Sequence, residues 1–386
     1  MKPAFQCSYI EISKSAFAHN LNFLKKYLKQ GVQISSVVKG NAYGHGIECF
    51  VPLAESYGVD HFSVFSANEA QQVFHARQKD STIMIMGYVD GPELEWAIEN
   101  GIEFYVFEMD RLMQAQQIAE KLKMKAYVHL EAETGMNRTG FSAKELTTAL
   151  HFLEQHQDTL HFQGICTHLA GAESIANYYR IRQQQKNFDK VLKKIILGGF
   201  HPAQRHMACS AAAIRYPKTH FDLVRLGIIQ YGFFPTNEVL IEYMTMKHAT
   251  KSPLQRLISW KTTVMDTKEV KKGEFIGYGT SYLANSDCTI ATIPIGYSQG
   301  FSRSLSNSGW VLIHGKRVPV IGTVNMNMIT VDISSIEEVH KGDEVVLIGK
   351  QDDLEISISS FSEFSDMLNY ELLTRLPADI PRFVVE

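Results

Sequence analysis

Eight short apolar runs, each separated from the next by an amphipathic stretch, fill the chain from about residue 14 to residue 232. No other feature restricts the fold as strongly. The runs are Ile34–Gly40, His61–Ser66, Thr82–Gly87, Glu103–Phe107, Ala126–Glu133, Phe162–Leu169, His206–Ser210 and Leu223–Tyr231. Helical patterns such as Phe17–Leu28, Ala67–Ala76, Arg111–Lys121, Ala143–Gln155 and Ala176–Lys194 lie between them. Strands that are apolar nearly throughout, alternating with helices, predict a parallel sheet buried on both faces. Eight such units in about 220 residues suit a (β/α)8 TIM barrel better than an open doubly wound sheet.

Beyond residue 250 the pattern changes. Trp260–Val270, Glu274–Tyr282, Cys288–Gly296, Trp310–Ile313, Val318–Val331 and Glu344–Ile348 read as strands with few long helices between them. This half is predicted to be a C-terminal, mainly antiparallel β domain. The division expected is a barrel over 11–247, with Pro235–Ser252 as linker, and a β domain over 248–386 that also takes a strand from residues 1–10. A chain of 386 residues is longer than one core usually serves.

Net charge is −3 and no Lys/Arg block stands out, which argues against nucleic acid or a membrane as partner. No apolar run reaches the ~18 residues of a membrane span, and the first residues lack the apolar stretch of a secretory signal. The five cysteines are scattered, with no C-x-x-C spacing, so they read as thiols in a reducing compartment, and no metal framework is expected. The expected location is cytoplasmic.

The first apolar run ends in chemistry. Ile34-Ser-Ser-Val-Val-Lys39-Gly-Asn-Ala-Tyr43-Gly-His-Gly46 sets a lysine at a strand end before a glycine-rich turn. In a barrel the C-terminal strand ends carry the active site. Partial desolvation beside Val37 and Val38 lowers an amine's pKa and readies it for Schiff-base formation. The glycines allow close backbone approach to an anion, and Tyr43 offers a hydroxyl to a phosphate. The same residues also fit a strand-end lysine that reaches along its stem to solvent.

Val38-Lys39-Gly40-Asn41-Ala42-Tyr43-Gly44-His45-Gly46 closely resembles the pyridoxal-phosphate lysine motif of the alanine racemases, whose usual form has Ala where Gly40 stands. The resemblance implies that Lys39 holds pyridoxal 5′-phosphate (PLP) as a Schiff base and serves as one of two catalytic acid/base groups, with Tyr43 on the cofactor phosphate. Val128-His-Leu-Glu131-Ala-Glu133-Thr-Gly-Met-Asn-Arg138 is similar to the family's fifth-strand motif. Arg138 then lies near the cofactor's phenolic oxygen and the substrate carboxylate. Glu131 stands where many members carry a carbamylated lysine, and is expected to supply that negative charge itself and hold Arg138.

Further matches follow down the chain. Thr167-His168 resembles the pair whose histidine contacts the catalytic tyrosine. Ser210 matches a phosphate-binding serine, and His206 the histidine that supports an arginine beyond it. That arginine is Arg225, which the resemblance places at the pyridine nitrogen. A guanidinium, pKa above about 12, keeps that nitrogen unprotonated and favours return of the proton to Cα. It also speaks against a related decarboxylase, which needs an acid there. The amides of Gly227 and Ile228 match further phosphate contacts.

In the β half, Gly277-Tyr278-Gly279 resembles the segment with the second acid/base, Tyr278, which in the family reaches the other subunit's site. A homodimer with shared active sites follows. A free tyrosine, pKa about 10, is a poor base at neutral pH, so positive surroundings are needed, and His168 with Arg225 are expected to provide them. Met326 matches a residue whose amide binds the substrate carboxylate, and Tyr370 a tyrosine that closes the site on the phosphate. Gln299 and Asn327 replace two carboxylates of the family pattern.

The function implied is PLP-dependent two-base racemisation of alanine, supplying D-alanine for cell-wall synthesis. Two other readings stay open on the sequence: a racemase of the same fold acting on serine, lysine or a broad range, and a PLP carrier without activity. Such carriers resemble the barrel alone, whereas this chain keeps the β half.

Overall fold

The computed structural model describes residues 7–358 and 369–386. They form two compact units. One comprises Ser15–Lys39 and Val51–Arg256; the other takes the described residues through Lys14, Gly40–Phe50 and the described part of Leu257–Glu386.

Strand β1 (Ser8–Ser13) belongs to the second unit. Strands β2 (Gln33–Val37), β3 (His61–Ser66), β4 (Thr82–Tyr88), β5 (Glu103–Val106), β6 (Ala126–Glu131), β7 (Leu160–Cys166), β8 (Gln204–Cys209) and β9 (Leu223–Leu226) close a barrel in chain order. Every neighbouring pair is parallel, and β9 returns to β2 through Gln33↔Leu223 and Ser36↔Leu226. This is the TIM barrel that the alternation predicts. The helices follow from the pattern too. In Ala143–Gln155, Leu146, Ala149, Leu150 and Leu153 are buried, an i, i+3, i+4, i+7 face. Ser142 and Glu145 start that helix with a reciprocal capping box.

Barrel strands stop short of the predicted runs where the chain turns toward the mouth. β2 ends at Val37 rather than Gly40, and β9 at Leu226, after which Ile228–Tyr231 form a 3-10 turn. The expected linker Pro235–Ser252 contains a helix, Asn237–Lys247, whose first turn is capped by Thr236 Oγ1 accepting from the Val239 N–H (3.3 Å). It groups with the barrel.

The second unit is built on β10 (Ile258–Thr263), β11 (Asp266–Val270), β12 (Cys288–Ile293), β13 (Trp310–Ile313), β14 (Lys316–Ile321), β15 (Ile329–Asp332), β16 (Glu344–Gln351), β17 (Leu354–Ile356) and β18 (Arg382–Val385). They join β1 in the order β11-β12-β15-β14-β13-β16-β10-β1-β18, with β17 on β16. Pairing is antiparallel except that β1 runs parallel to β18. Two predicted strands are each divided in two: Trp260–Val270 into β10 and β11, and Val318–Val331 into β14 and β15. Glu274–Tyr282 is no strand at all. Gly277 (φ 78°) and Gly279 (φ 69°) turn it into a loop whose only pairing is the Phe275↔Leu283 bridge. Among the described residues no helix is long and apolar enough to cross a membrane.

Candidate active site

The barrel gathers the predicted residues of its own unit at one end. Lys39 follows β2, Glu131 ends β6, Arg138 lies in the loop beyond it, His168 follows β7, Ser210 follows β8, and Gly227 and Ile228 follow β9. The mouth is strongly positive. Lys39 opens to solvent, yet enough protein surrounds it that burial lowers its amine below the ordinary lysine value. Arg138 and Arg225 push the same way, while Glu69 and Cys209 push back. His168 is driven down to about 3 by burial and then by Arg225, Arg138 and Lys39. His168 is thus a neutral imidazole near pH 7, not the positive group expected, and the charge of this mouth rests on Arg138 and Arg225 with Lys39.

Glu131 is 4% exposed. Burial raises its carboxyl above the ordinary range, against the hydrogen bond from Thr139 Oγ1 (2.7 Å) and the charges of Arg138 and Arg225. Arg138 and Glu131 form no ion pair among the described residues; the carboxylate meets the arginine's loop through Thr139 and acts on the guanidinium through the field. Arg225, also 4% exposed, donates from Nη1 to His206 Nδ1 (2.6 Å) and from Nη2 to the carbonyls of Thr167 (2.9 Å) and Met207 (3.2 Å). The Gly227 N–H donates to Ser210 Oγ (3.0 Å). Sequence reasoning missed the groups beneath Arg225, namely His129 and Glu103. The signal for His129 was its position two residues before Glu131, on the same strand face.

In the second unit the turn after Lys39 is left-handed. Gly40, Asn41, Ala42, Tyr43 and Gly44 all have φ between 52° and 81°, and the Gly44 N–H bonds to the Gly40 carbonyl (3.0 Å). For the three non-glycine residues this costs about 1–2 kcal/mol each. Compensation is visible: Ile47 N–H donates to Asn41 Oδ1 (3.0 Å), His45 Nδ1–H to the Ala42 and Tyr43 carbonyls (3.0 Å each), and Arg382 Nε to the Gly44 carbonyl (3.1 Å). A Cβ on Gly44 would stand 2.0 Å from the Leu373 carbonyl oxygen. The turn carrying Tyr43 therefore packs on the helix Asn369–Thr374 that carries Tyr370.

Three loops of the same unit bring Tyr278, Gln299 and Met326 together. Thr323 Oγ1 donates to Ser281 Oγ (3.0 Å), and Ser298 N–H to the Met326 carbonyl (3.0 Å). Ser298 Oγ joins Gln299 Oε1 (2.9 Å), Asn327 Nδ2 (2.8 Å) and the Met326 carbonyl (2.8 Å). Tyr278 is 72% exposed and Met326 55% exposed. The Met326 N–H has no partner among the described residues.

The buried imidazoles set an acid limit on stability. Burial lowers His45 to about 4, His168 to about 3 and His206 well below the ordinary value. Unfolded histidine takes its proton near ~6.5, so below that pH the unfolded chain binds protons that the folded chain refuses. Stability then falls as pH drops from 6.5 toward those folded values, by about 2 kcal/mol per group at pH 5. Denaturant midpoints at pH 7.5 and 5.0 check this; equal midpoints would refute it.

Two family models match the chain. One, described as the alanine racemase N-terminal domain, covers residues 12–235, and the other, the C-terminal domain, covers 257–384. The chain belongs to the alanine racemase family. It is accordingly an enzyme, an isomerase. The alanine racemase of Methanococcus maripaludis is 34% identical over 374 residues, 97% of each chain. The solved alanine racemase of Clostridium difficile 630 has a TM-score of 0.90 at 28% identity, covering 99% of this chain and 97% of that one. That of Bartonella henselae, solved with covalently bound pyridoxal phosphate, has a TM-score of 0.82 at 25% identity and covers 99% and 100%. The alanine racemase resemblance of the Lys39 motif thus extends over nearly the whole chain.

Proposed function

We propose that this chain interconverts L- and D-alanine with PLP by a two-base mechanism, Lys39 acting on one face of Cα and Tyr278 of a second copy on the other. The observation that carries the reading is Lys39 itself, an accessible amine of lowered pKa at a barrel mouth made positive by Arg138 and Arg225. The donor set fits PLP. The hydroxyls of Ser210, Tyr43 and Tyr370 and the amides of Gly227 and Ile228 would hold the phosphate, and Arg225 the ring nitrogen. When bound, the cofactor supplies the acidity of the Cα–H bond.

The remaining work falls to the chain. Lys39 removes a proton, a role that its lowered pKa favours, and the exposed Tyr278 delivers one from the opposite side. Arg138 and the Met326 N–H fix the carboxylate so that only the hydrogen changes face. Arg225 can only donate, so it leaves no proton on the ring nitrogen. D-alanine formed in the cytoplasm in this way would feed cell-wall synthesis. A second reading, a racemase with another or broader side-chain range, draws on the uncharged Gln299–Ser298–Asn327 network beside Met326.

The test is chiral analysis of L-alanine, L-serine and L-lysine after incubation with PLP-loaded protein. D-alanine formed fastest is expected; fastest turnover of serine or lysine selects the second reading, and no turnover overturns both. Glu131→Gln, assayed alongside, removes the one carboxylate at the end of β6 and should lower kcat/KM for alanine about tenfold, the scale of one coupled buried charge. Unchanged kinetics would mean that Arg138 does not depend on Glu131.

A further inference from the structure

Four side chains from β5, β6, β8 and β9 form one line through the barrel interior. Glu103 Oε2 lies 2.8 Å from His129 Nε2, His129 Nδ1 lies 2.9 Å from His206 Nε2, and His206 Nδ1 lies 2.6 Å from Arg225 Nη1. All four are buried, the two imidazoles completely.

The proton positions follow from one end. Arginine donates and never accepts, so His206 Nδ1 must present its lone pair to Arg225. His206 then carries its proton on Nε2 and donates it to His129 Nδ1, which must be an acceptor. His129 in turn carries its proton on Nε2 and donates to Glu103. Only a carboxylate or another acceptor can end such a line. The geometry thus admits one pattern, in which an anion and a cation face each other across two neutral imidazoles, each bond polarised in the same sense.

Arg225 needs this. It has no carboxylate within ion-pair range among the described residues, only His206 and two carbonyls. A buried guanidinium without a counter-charge is costly. Glu131 acts on the guanidinium through space, and Glu103 ends the line of hydrogen bonds with a second negative charge; it is itself faced by His61 Nε2 at 3.5 Å, whose Nδ1 lies 2.9 Å from Ser35 Oγ. Burial works against the Glu103 carboxylate, but the hydrogen bond from His129 and the nearby His61 ring outweigh it and bring its pKa down to about 2.

We propose that Glu103 is a positioning residue which, through His129 and His206, fixes the partner of Arg225 and so the direction in which its remaining N–H groups point. This rests on the reading that those groups face the cofactor ring nitrogen.

The test begins on cofactor-free protein with 15N-labelled histidine, assigned with His129→Gln and His206→Asn. Both imidazoles should appear as neutral Nε2–H forms from pH 6 to 8. Glu103→Gln keeps an acceptor oxygen and should keep these forms, with both sets of shifts displaced by the weaker bond. Glu103→Leu should put His129 into tautomer exchange and disturb His206. In the loaded enzyme Glu103→Leu should lower kcat about tenfold with KM within about twofold, and Glu103→Gln should recover most of that loss. Should Glu103→Leu fail to fold, Glu103→Gln carries the test, and unmoved His129 and His206 shifts overturn the proposal. Equal kcat losses in the Leu and Gln variants, tracking equal falls in Tm, also overturn it, because a packing role alone would do that. The expected histidine forms in a protein that fails to racemise alanine would support the relay and refute only the reading of Arg225.

Discussion

Lys39→Ala is expected to reduce alanine racemisation by about 10^4-fold or more, the scale seen when a residue that is both nucleophile and base is removed. The size follows from two roles resting on one nitrogen. The amine is the group to which a cofactor aldehyde would bond, and it is also the base on one face of Cα. Among the described residues, the groups that perturb Lys39 are Arg138, Glu69, Arg225 and Cys209, none of them a second lysine. A guanidinium is too weak a base to replace an amine near neutral pH. Folding should hold, because Lys39 is exposed and follows the end of β2 rather than filling the core. The check is a chiral assay with Tm beside it. An unchanged Tm with activity lost places the effect in chemistry, whereas activity within tenfold of the parent would remove Lys39 from the mechanism.

The barrel was legible because its constraint is periodic. Each strand buried on both faces must be apolar along its length, and each helix must repeat at 3.6 residues, so eight units show themselves without any contact being known. The mouth was legible for a related reason: polar residues at the ends of apolar strands, Lys39, Glu131, His168 and Ser210, have nowhere else to go in this fold. Four features were not. Phe275, Ile276, Tyr278 and Tyr282 have strand-forming side chains, but Gly277 and Gly279 decide the backbone there. The left-handed run through Asn41, Ala42 and Tyr43 breaks no pattern in the sequence. It is held by Arg382 and Leu373, which lie near the far end of the chain. The neutral state of His168 depends on how many cations share its surroundings, and spacing along a chain does not report that. Glu103 shows the same limit, since an acid opening an apolar strand reads as a solvated end until the barrel closes over it.

Gly44→Ala should destabilise the second unit by about 2–4 kcal/mol, while Gly273→Ala costs about 1 kcal/mol. Both glycines have φ in the left-handed region, 81° and 88°, so both substitutions carry the same conformational strain, about 1 kcal/mol for a residue with a Cβ. Their surroundings differ. A Cβ on Gly273 meets nothing within 4 Å, whereas one on Gly44 falls 2.0 Å from the Leu373 carbonyl oxygen and 2.8 Å from its carbon. Those are backbone atoms of a helix, and Leu373 is fully buried, so no side-chain rotation relieves the overlap. Either the turn or the helix Asn369–Thr374 must move, and overpacking of this kind adds about 1–3 kcal/mol. The turn cannot yield cheaply, because the Gly44 carbonyl is tied to Arg382 and its N–H to Gly40. Displacing the helix separates the segments of Tyr43 and Tyr370, so Gly44→Ala should lose PLP affinity, whereas Gly273→Ala should keep it. Denaturant midpoints of the two variants, with PLP titrations on each, decide the matter. Equal midpoints would mean that Leu373 does not press on the turn, and an unchanged PLP affinity in Gly44→Ala would separate this contact from the cofactor.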